Sequence, residues 1–161
     1  MLKYRDKITH VPQAGEGNCG PVALKCLFNN SLHEIEEMVK CDSKGTNVYN
    51  VISALQYSKI DYSFVPLHSD HQNHFWWLEI VSHRFPIYLC CHFINQGPRG
   101  RPSNSHHAIL LANGLCYDGN FHREMPIESI LQNFNKKFLT TNAIIFHKEL
   151  PNWSKSLAPS L

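Results

Sequence analysis

The sequence lacks the features of several large classes of protein. Its 161 residues carry 15 Lys and Arg against 13 Asp and Glu, a net charge of +2, and no segment concentrates basic residues as a nucleic-acid-binding stripe does. No apolar run approaches the ~18 residues that cross a bilayer, and no apolar signal-peptide core follows Met1. We therefore expect a cytoplasmic protein with neither a nucleic-acid nor a membrane partner.

The cysteines show no regular spacing of the kind found in small disulfide-stapled domains. A chain of this length can also bury roughly 70% of its surface without staples. We therefore expect a reducing environment and free thiols. The six cysteines are Cys19, Cys26, Cys41, Cys90, Cys91 and Cys116.

The chain has neither internal repeats nor a linker-like segment. With 43% hydrophobic residues, residues 1–150 are predicted to form one domain, followed by a polar tail at residues 151–161. The oligomeric state stays open at this stage.

Helical signals dominate the first half. A Gly-rich turn precedes Pro21, a residue suited to a first helical turn, and Ser31 with Glu34 forms a capping-box pattern for a second helix. Either Thr46 or Asn47 can cap a third. A further helix is predicted over residues 72–83.

Strand signals follow. We predict strands at residues 60–66, 85–94, 107–112, 115–118 and 139–147, a polar loop from Asn95 to Ser105, and a helix after Pro126. Asn113-Gly114 predicts a tight hairpin. The fold class is therefore α+β, with N-terminal helices packed on a mainly antiparallel sheet.

Cys19 carries the strongest chemical signal. It stands at the predicted start of the first helix, where the helix dipole and unpaired backbone N–H groups stabilise a thiolate. Gln13, six residues upstream, is placed to donate its amide to a developing oxyanion beside the backbone N–H of Cys19.

A histidine must take the thiol proton. In the predicted two-residue hairpin, side-chain parity places His107 on one face together with Asp118 and Asn120, whereas His106 faces the other side. A slip of one residue would exchange the two histidines.

The residue that orients His107 has two candidates. Asn120 would oppose His107 directly, and Asp118 would lie diagonally. We favour Asp118 because a carboxylate stabilises an imidazolium more than an amide does. Asn120 remains the alternative.

This ordered set of motifs resembles the papain-like cysteine peptidase superfamily. The matching segments are Gln13-Ala-Gly-Glu-Gly-Asn-Cys19-Gly-Pro-Val-Ala-Leu, Lys44-Gly-Thr, Phe85-Pro-Ile-Tyr-Leu, His107-Ala-Ile-Leu-Leu and Tyr117-Asp118. The nearest branch is that of the double-glycine leader peptidases, although this sequence carries no transporter membrane segments. The Gly-Asn-Cys-Gly core is also similar to ovarian-tumour-type deubiquitinases and to viral papain-like proteases.

The resemblance, which covers roughly Gln13 to Asn120, implies a papain-like fold and a thiol-dependent mechanism. It implies that Cys19 is the nucleophile, His107 the general base and acid, Asp118 its orienting partner and Gln13 the oxyanion donor. It also implies a protein or peptide substrate. We expect neither a metal nor an organic cofactor.

Other interpretations remain open. His68, His71 and His74, with His83 beyond, have ligand-like spacing, but only Asp70 accompanies them, so a solvated or substrate-facing polar stretch is the preferred interpretation. The hypothesis is a cysteine hydrolase acting on a peptide or isopeptide bond. The alternatives are a deamidase or acyltransferase that uses the same triad, and an inactive papain-like binding or inhibitor module.

Overall fold

The fold is a six-stranded antiparallel sheet with helices packed on both faces. Its strand order is β1-β6-β2-β3-β4-β5. The computed structural model describes residues 1–13, 17–67, 75–96, 102–129 and 137–150. Its elements are α1 (Cys19–Leu27), α2 (Leu32–Met38), α3 (Val48–Tyr57), β1 (Tyr62–Pro66), α4 (Phe75–Ser82), β2 (Ile87–Gln96), β3 (Pro102–Ala112), β4 (Leu115–Tyr117), β5 (Met125–Pro126) and β6 (Lys137–Phe146).

The predicted N-terminal caps of α2 and α3 are present. The Ser31 side chain accepts from the backbone N–H of Glu34, and the Glu34 carboxylate accepts from the N–H of Ser31, which completes the capping box. Asn47, rather than Thr46, caps α3 by accepting from the N–H of Tyr49 at 2.6 Å. The α+β class is confirmed.

Each face of the sheet covers its own apolar core. Tyr88, Leu110 and Ile144 lie on the face covered by α1, α2 and α3. The opposite face packs against α4 through a second cluster that includes Leu78 and Leu89. Because side chains alternate along a strand, neighbouring residues of β2 and β3 belong to different cores.

The predicted hairpin turn is confirmed. Asn113 and Gly114 have φ values of 56° and 72°, as a type I′ turn requires, and Ala112 pairs with Leu115 across them. The ladder ends at Tyr117, where β4 ends. The expected pairing of strand residues beyond that point is therefore wrong.

The predicted polar loop from Asn95 to Ser105 is too long. Strand β2 continues to Gln96 and β3 begins at Pro102, with Gln96 paired to Pro102. Polar side chains misled the prediction because the ladder is held by main-chain hydrogen bonds that any non-proline residue can make.

The helix predicted after Pro126 is described only at its start: Met125 and Pro126 form β5 and pair with Cys116 and Leu115, a turn follows at Ile127 and Glu128, and Ser129 is helical. Ile130, Leu131 and Phe134 lie outside the described residues, as do residues 151–161. Within the described ranges, no helix is both long and apolar enough to span a bilayer.

Candidate active site

Cys19 is the first residue of α1, as the sequence predicts. The carbonyl of Asn18 accepts the first intrahelical hydrogen bond, from Val22 at 3.0 Å. Gly17 turns the chain into the helix with φ of 80°. A Cβ there would lie 2.9 Å from the carbonyl oxygen of Ser43, so a side chain is excluded by both backbone conformation and space.

His107, on β3, joins Cys19 to Asp118. Its Nε2 donates a 2.7 Å hydrogen bond to the Asp118 Oδ1, and a further side-chain hydrogen bond links the imidazole to the Cys19 sulfur. Since Asp118 holds Nε2, Nδ1 is the ring nitrogen left for Cys19. These three predicted residues therefore form one continuous relay.

Asp118 lies in the turn after β4, almost fully buried, with its side chain 1% exposed. The backbone N–H of Asn120 donates to the same Oδ1 at 2.9 Å. Asn120 does not oppose His107 in the ladder, because β4 ends before it. The structure therefore pairs His107 with Asp118, and Asn120 supports that carboxylate with its main chain.

Gln13 lies on the Asp118 side of this arrangement. Its backbone N–H donates to the carbonyl of Gly119 at 2.8 Å. A Cβ on Gly119 would lie 2.8 Å from the Cβ of Gln13 and 3.0 Å from Cγ1 of Val22. The segment before α1 and the turn that carries Asp118 are thus in direct contact.

Gly119→Ala should disturb this contact. The new methyl group would meet Cβ and the backbone nitrogen of Gln13, at 2.8 and 3.1 Å, and neither atom can retreat without moving backbone. We expect a loss of about 1–3 kcal/mol in the free energy of unfolding and slower alkylation of Cys19, measured by urea titration and iodoacetamide kinetics. Asn120→Ala is the matched control, because it keeps the N–H that binds Asp118; slower alkylation in this variant would instead assign a role to the Asn120 side chain.

The electrostatics of the relay favour a thiolate–imidazolium pair. Burial opposes ionisation of Cys19, but the hydrogen bond and charge of His107 and the backbone N–H groups of Ala108 and Gly20 outweigh it, so the pKa of the thiol is lowered. Burial likewise opposes protonation of His107, yet hydrogen bonds to Asp118 and Cys19 raise its pKa to about 9. Each partner thus stabilises the charged form of the other.

The other five cysteines have raised pKa values, which disfavour the reactive thiolate form. All six lie within the described residues and are free, as the sequence predicts. Burial raises the pKa of Cys26 to about 11 and that of Cys90 to about 12. The pKa values of Cys41, Cys91 and Cys116 are also raised, with burial as the largest cause. Cys19 therefore differs from them by its surroundings.

A cleft of about 530 Å³ opens over Cys19 and His107. One wall is the segment from Lys44 to Tyr49, and the floor is formed by strands β2 and β6. His106 is exposed and lines the same cleft, but it is His107 that bonds to Asp118.

Most of the histidines with metal-ligand spacing lie outside the residues that the structure describes. His68, His71 and His74 lie outside the described residues, and the ring of His83 packs close to Gly114. Among the residues that the structure describes, no three His, Cys, Asp or Glu side chains are grouped to hold a metal ion.

Two residues of the cleft carry no local signal in the sequence. Tyr88 and Asn142 line the floor beside Cys19, and both had been assigned only to strands. Side-chain parity places them on the α1 face, but their proximity to Cys19 depends on how α1 packs over the sheet.

Comparison with known proteins supports the fold. No family model matches the chain, and no curated protein matches it significantly in sequence. Among solved structures, it is similar to the peptidase domain of Streptococcus ComA, a bifunctional ABC transporter involved in a quorum-sensing pathway, with 17% identity and a TM-score of 0.52. The match covers 86% of this chain and 97% of that domain. The chain therefore shares the α+β fold of that domain, which is consistent with the papain-like fold that the sequence resemblance implies.

Proposed function

We propose that the protein is a cysteine peptidase that cleaves peptide or isopeptide bonds through a thioester. The observation that carries the proposal is the Cys19–His107–Asp118 relay at the bottom of an open cleft. A nucleophile, a base within hydrogen-bond reach and a third group that orients the base are the parts that covalent amide hydrolysis needs.

In the first half-reaction, the Cys19 thiolate attacks the carbonyl carbon of the substrate. The carbon–sulfur bond forms as the carbonyl oxygen becomes an oxyanion, which the backbone N–H of Cys19 and the side-chain amide of Gln13 are proposed to hold. The intermediate collapses, His107 gives its proton to the nitrogen, and the amine leaves.

In the second half-reaction, His107 acts as a base. Acylation removes the thiolate charge that helps to raise the His107 pKa, so the neutral imidazole becomes accessible near neutral pH. It takes a proton from water, and the hydroxide attacks the thioester. The tetrahedral intermediate collapses, the carbon–sulfur bond breaks, and the carboxylic acid departs, which leaves the Cys19 thiolate beside the protonated His107 as in the resting state.

Asp118 is proposed to hold the imidazole for both steps. Its carboxylate binds Nε2, which keeps Nδ1 turned to the sulfur and stabilises the imidazolium. The mechanism also needs a reducing environment, because a partly exposed thiolate of lowered pKa, such as that of Cys19, is readily oxidised.

The test is peptide cleavage that depends on Cys19. A proteome-derived peptide library is incubated with the wild type and with Cys19→Ala, and new amino termini are identified by mass spectrometry. We expect cleavage by the wild type and none above background with Cys19→Ala, while Cys90→Ala, a substitution of another cleft thiol, retains the cleavage pattern. Equal patterns from the wild type and Cys19→Ala would contradict the proposal and favour an inactive binding module.

A further inference from the structure

The floor of the cleft carries polar groups that the relay does not use. Tyr88 and Cys90 on β2 and Asn142 on β6 have their side chains on the same face of the sheet, because Cys90 pairs with Asn142 and Tyr88 with Ile144. All three line the cleft that contains Cys19.

Tyr88 contributes an almost fully buried side chain, with its hydroxyl, to the lining of the cleft. The residue is 2% exposed, and its hydroxyl oxygen would lie 2.8 Å from a Cβ placed on Gly20, the residue after Cys19. The hydrogen bonds among the described residues include none to this hydroxyl. Burial raises the pKa of Tyr88 well above its usual value, so the group remains a hydrogen-bond donor.

Asn142 presents an acceptor. Its Oδ1 is buried and has no hydrogen-bond partner among the described residues. The ladder between β2 and β6 is irregular between Cys90 and Cys91, beside this residue, and bulges often lie next to functional sites. A buried acceptor without a partner is unfavourable unless a ligand or water completes it.

Neighbouring polar side chains of the cleft are already engaged within the protein. The Thr46 hydroxyl donates to the carbonyl of Val39 at 2.6 Å, and the Thr141 hydroxyl donates to the carbonyl of Cys90 at 3.3 Å. Tyr88 and Asn142 therefore offer a donor and an acceptor to whatever enters the cleft.

We propose that Tyr88 and Asn142 bind the main chain of an extended peptide substrate next to the bond that is cleaved. The Tyr88 hydroxyl donates to a substrate carbonyl oxygen, and the Asn142 Oδ1 accepts from a substrate N–H. An extended peptide presents both groups along its edge. The inference rests on the proposed peptidase function and names the residues that recognise the substrate backbone.

The test compares two reagents that carry the same reactive group. N-acetyl-triglycyl chloromethyl ketone has a peptide main chain without side chains, and chloroacetone has no peptide at all. The ratio of their rate constants for labelling Cys19 reports main-chain recognition, because a change in thiol reactivity cancels. The variants are Tyr88→Phe and Asn142→Leu, each close in size to the native residue, with Tyr4→Phe, which lies in a different pocket, as the matched control.

We expect the wild type to prefer the peptidyl reagent and each variant to lower the ratio about 3- to 10-fold, the effect of one hydrogen bond. Tyr4→Phe should keep the wild-type ratio. Asn142→Leu should also unfold at an equal or higher temperature, because it removes an unpartnered buried acceptor. A wild-type ratio near one, or unchanged ratios in both variants, would overturn the inference.

The same data separate this inference from the proposed function. The dependence of chloroacetone labelling on His107 tests the thiolate–imidazolium pair by itself. Labelling that depends on His107 together with unchanged ratios would overturn only the assignment of Tyr88 and Asn142, whereas labelling of Cys19 no faster than that of the other thiols would overturn the peptidase proposal on which it rests.

Discussion

At about pH 6.5, His107→Ala should slow the alkylation of Cys19 by iodoacetamide about 10- to 100-fold. The imidazole lowers the pKa of the Cys19 thiol by a hydrogen bond and by its charge, against the opposing effect of burial. Without it, burial is opposed by backbone N–H groups alone, the pKa rises, and less thiolate is present at this pH. Peptide mapping by mass spectrometry assigns the reaction to Cys19.

The neighbouring histidine is the control for this experiment. His106 lines the same cleft and is exposed, but His107 is the residue bonded to Asp118. His106→Ala should therefore change the rate less than about twofold. A large effect of His106→Ala with none of His107→Ala would show that the histidine has been misassigned.

Asp118→Asn should lower peptide hydrolysis about 10²- to 10⁴-fold, as expected when an orienting carboxylate is lost from a triad. The carboxylate holds Nε2 of His107 at 2.7 Å and helps to raise the pKa of that imidazole to about 9. Without the carboxylate, the pKa of His107 falls, and less of the imidazolium that must protonate the leaving amine is present. The measurement is kcat/KM against pH, on the peptide that the wild type cleaves fastest.

The pH profile distinguishes this role from a merely structural one. Activity of the wild type should fall at low pH as Cys19 is protonated, and at high pH as His107 loses its proton near pH 9. In Asp118→Asn the basic limb should move to lower pH. Asp42→Asn is the matched control, because Asp42 is exposed and binds a backbone N–H of the cleft wall. A wild-type profile in Asp118→Asn would contradict the assignment.

The free energy of unfolding should also depend on the protonation of His107. The pKa of folded His107 lies above its usual 6.5, so the stabilisation from its ion pair is fully present below about pH 6.5 and is lost as the pH rises through about 9. The difference in free energy of unfolding between the wild type and Asp118→Asn should therefore shrink between about pH 6.5 and pH 10, as measured by urea titration.

Local signals predicted much of the fold. The capping box at Ser31 and the type I′ turn at Asn113-Gly114 each depend on a few adjacent residues, and both form as predicted. The strand ends at Gln96 and Pro102 were missed, because their pairing depends on the partner strand rather than on their own polar composition. The short strand at Met125 was missed for the same reason.

The candidate active site also has features that local sequence predicts and features that depend on distant segments. The position of Cys19 at a helix start was predictable because it depends on the Gly-rich turn before it, and His107 and Asp118 were predictable from the hairpin between them. The choice of Asp118 over Asn120 followed from charge, but its geometry did not: β4 ends early, and the turn brings the carboxylate to the imidazole.

The sequence alone determined the chemical groups, their order and the local elements that carry them, because capping, turn conformation and strand alternation act over a few residues. The tertiary structure decided which thiol has a lowered pKa and what lies beside it. Burial raises the pKa of Cys90, whereas a hydrogen bond to His107 helps to lower that of Cys19 in the same cleft. Tyr88 and Asn142 lie at the cleft floor because β2 pairs with β6. Such proximity depends on contacts between segments far apart in the chain, which no local pattern records.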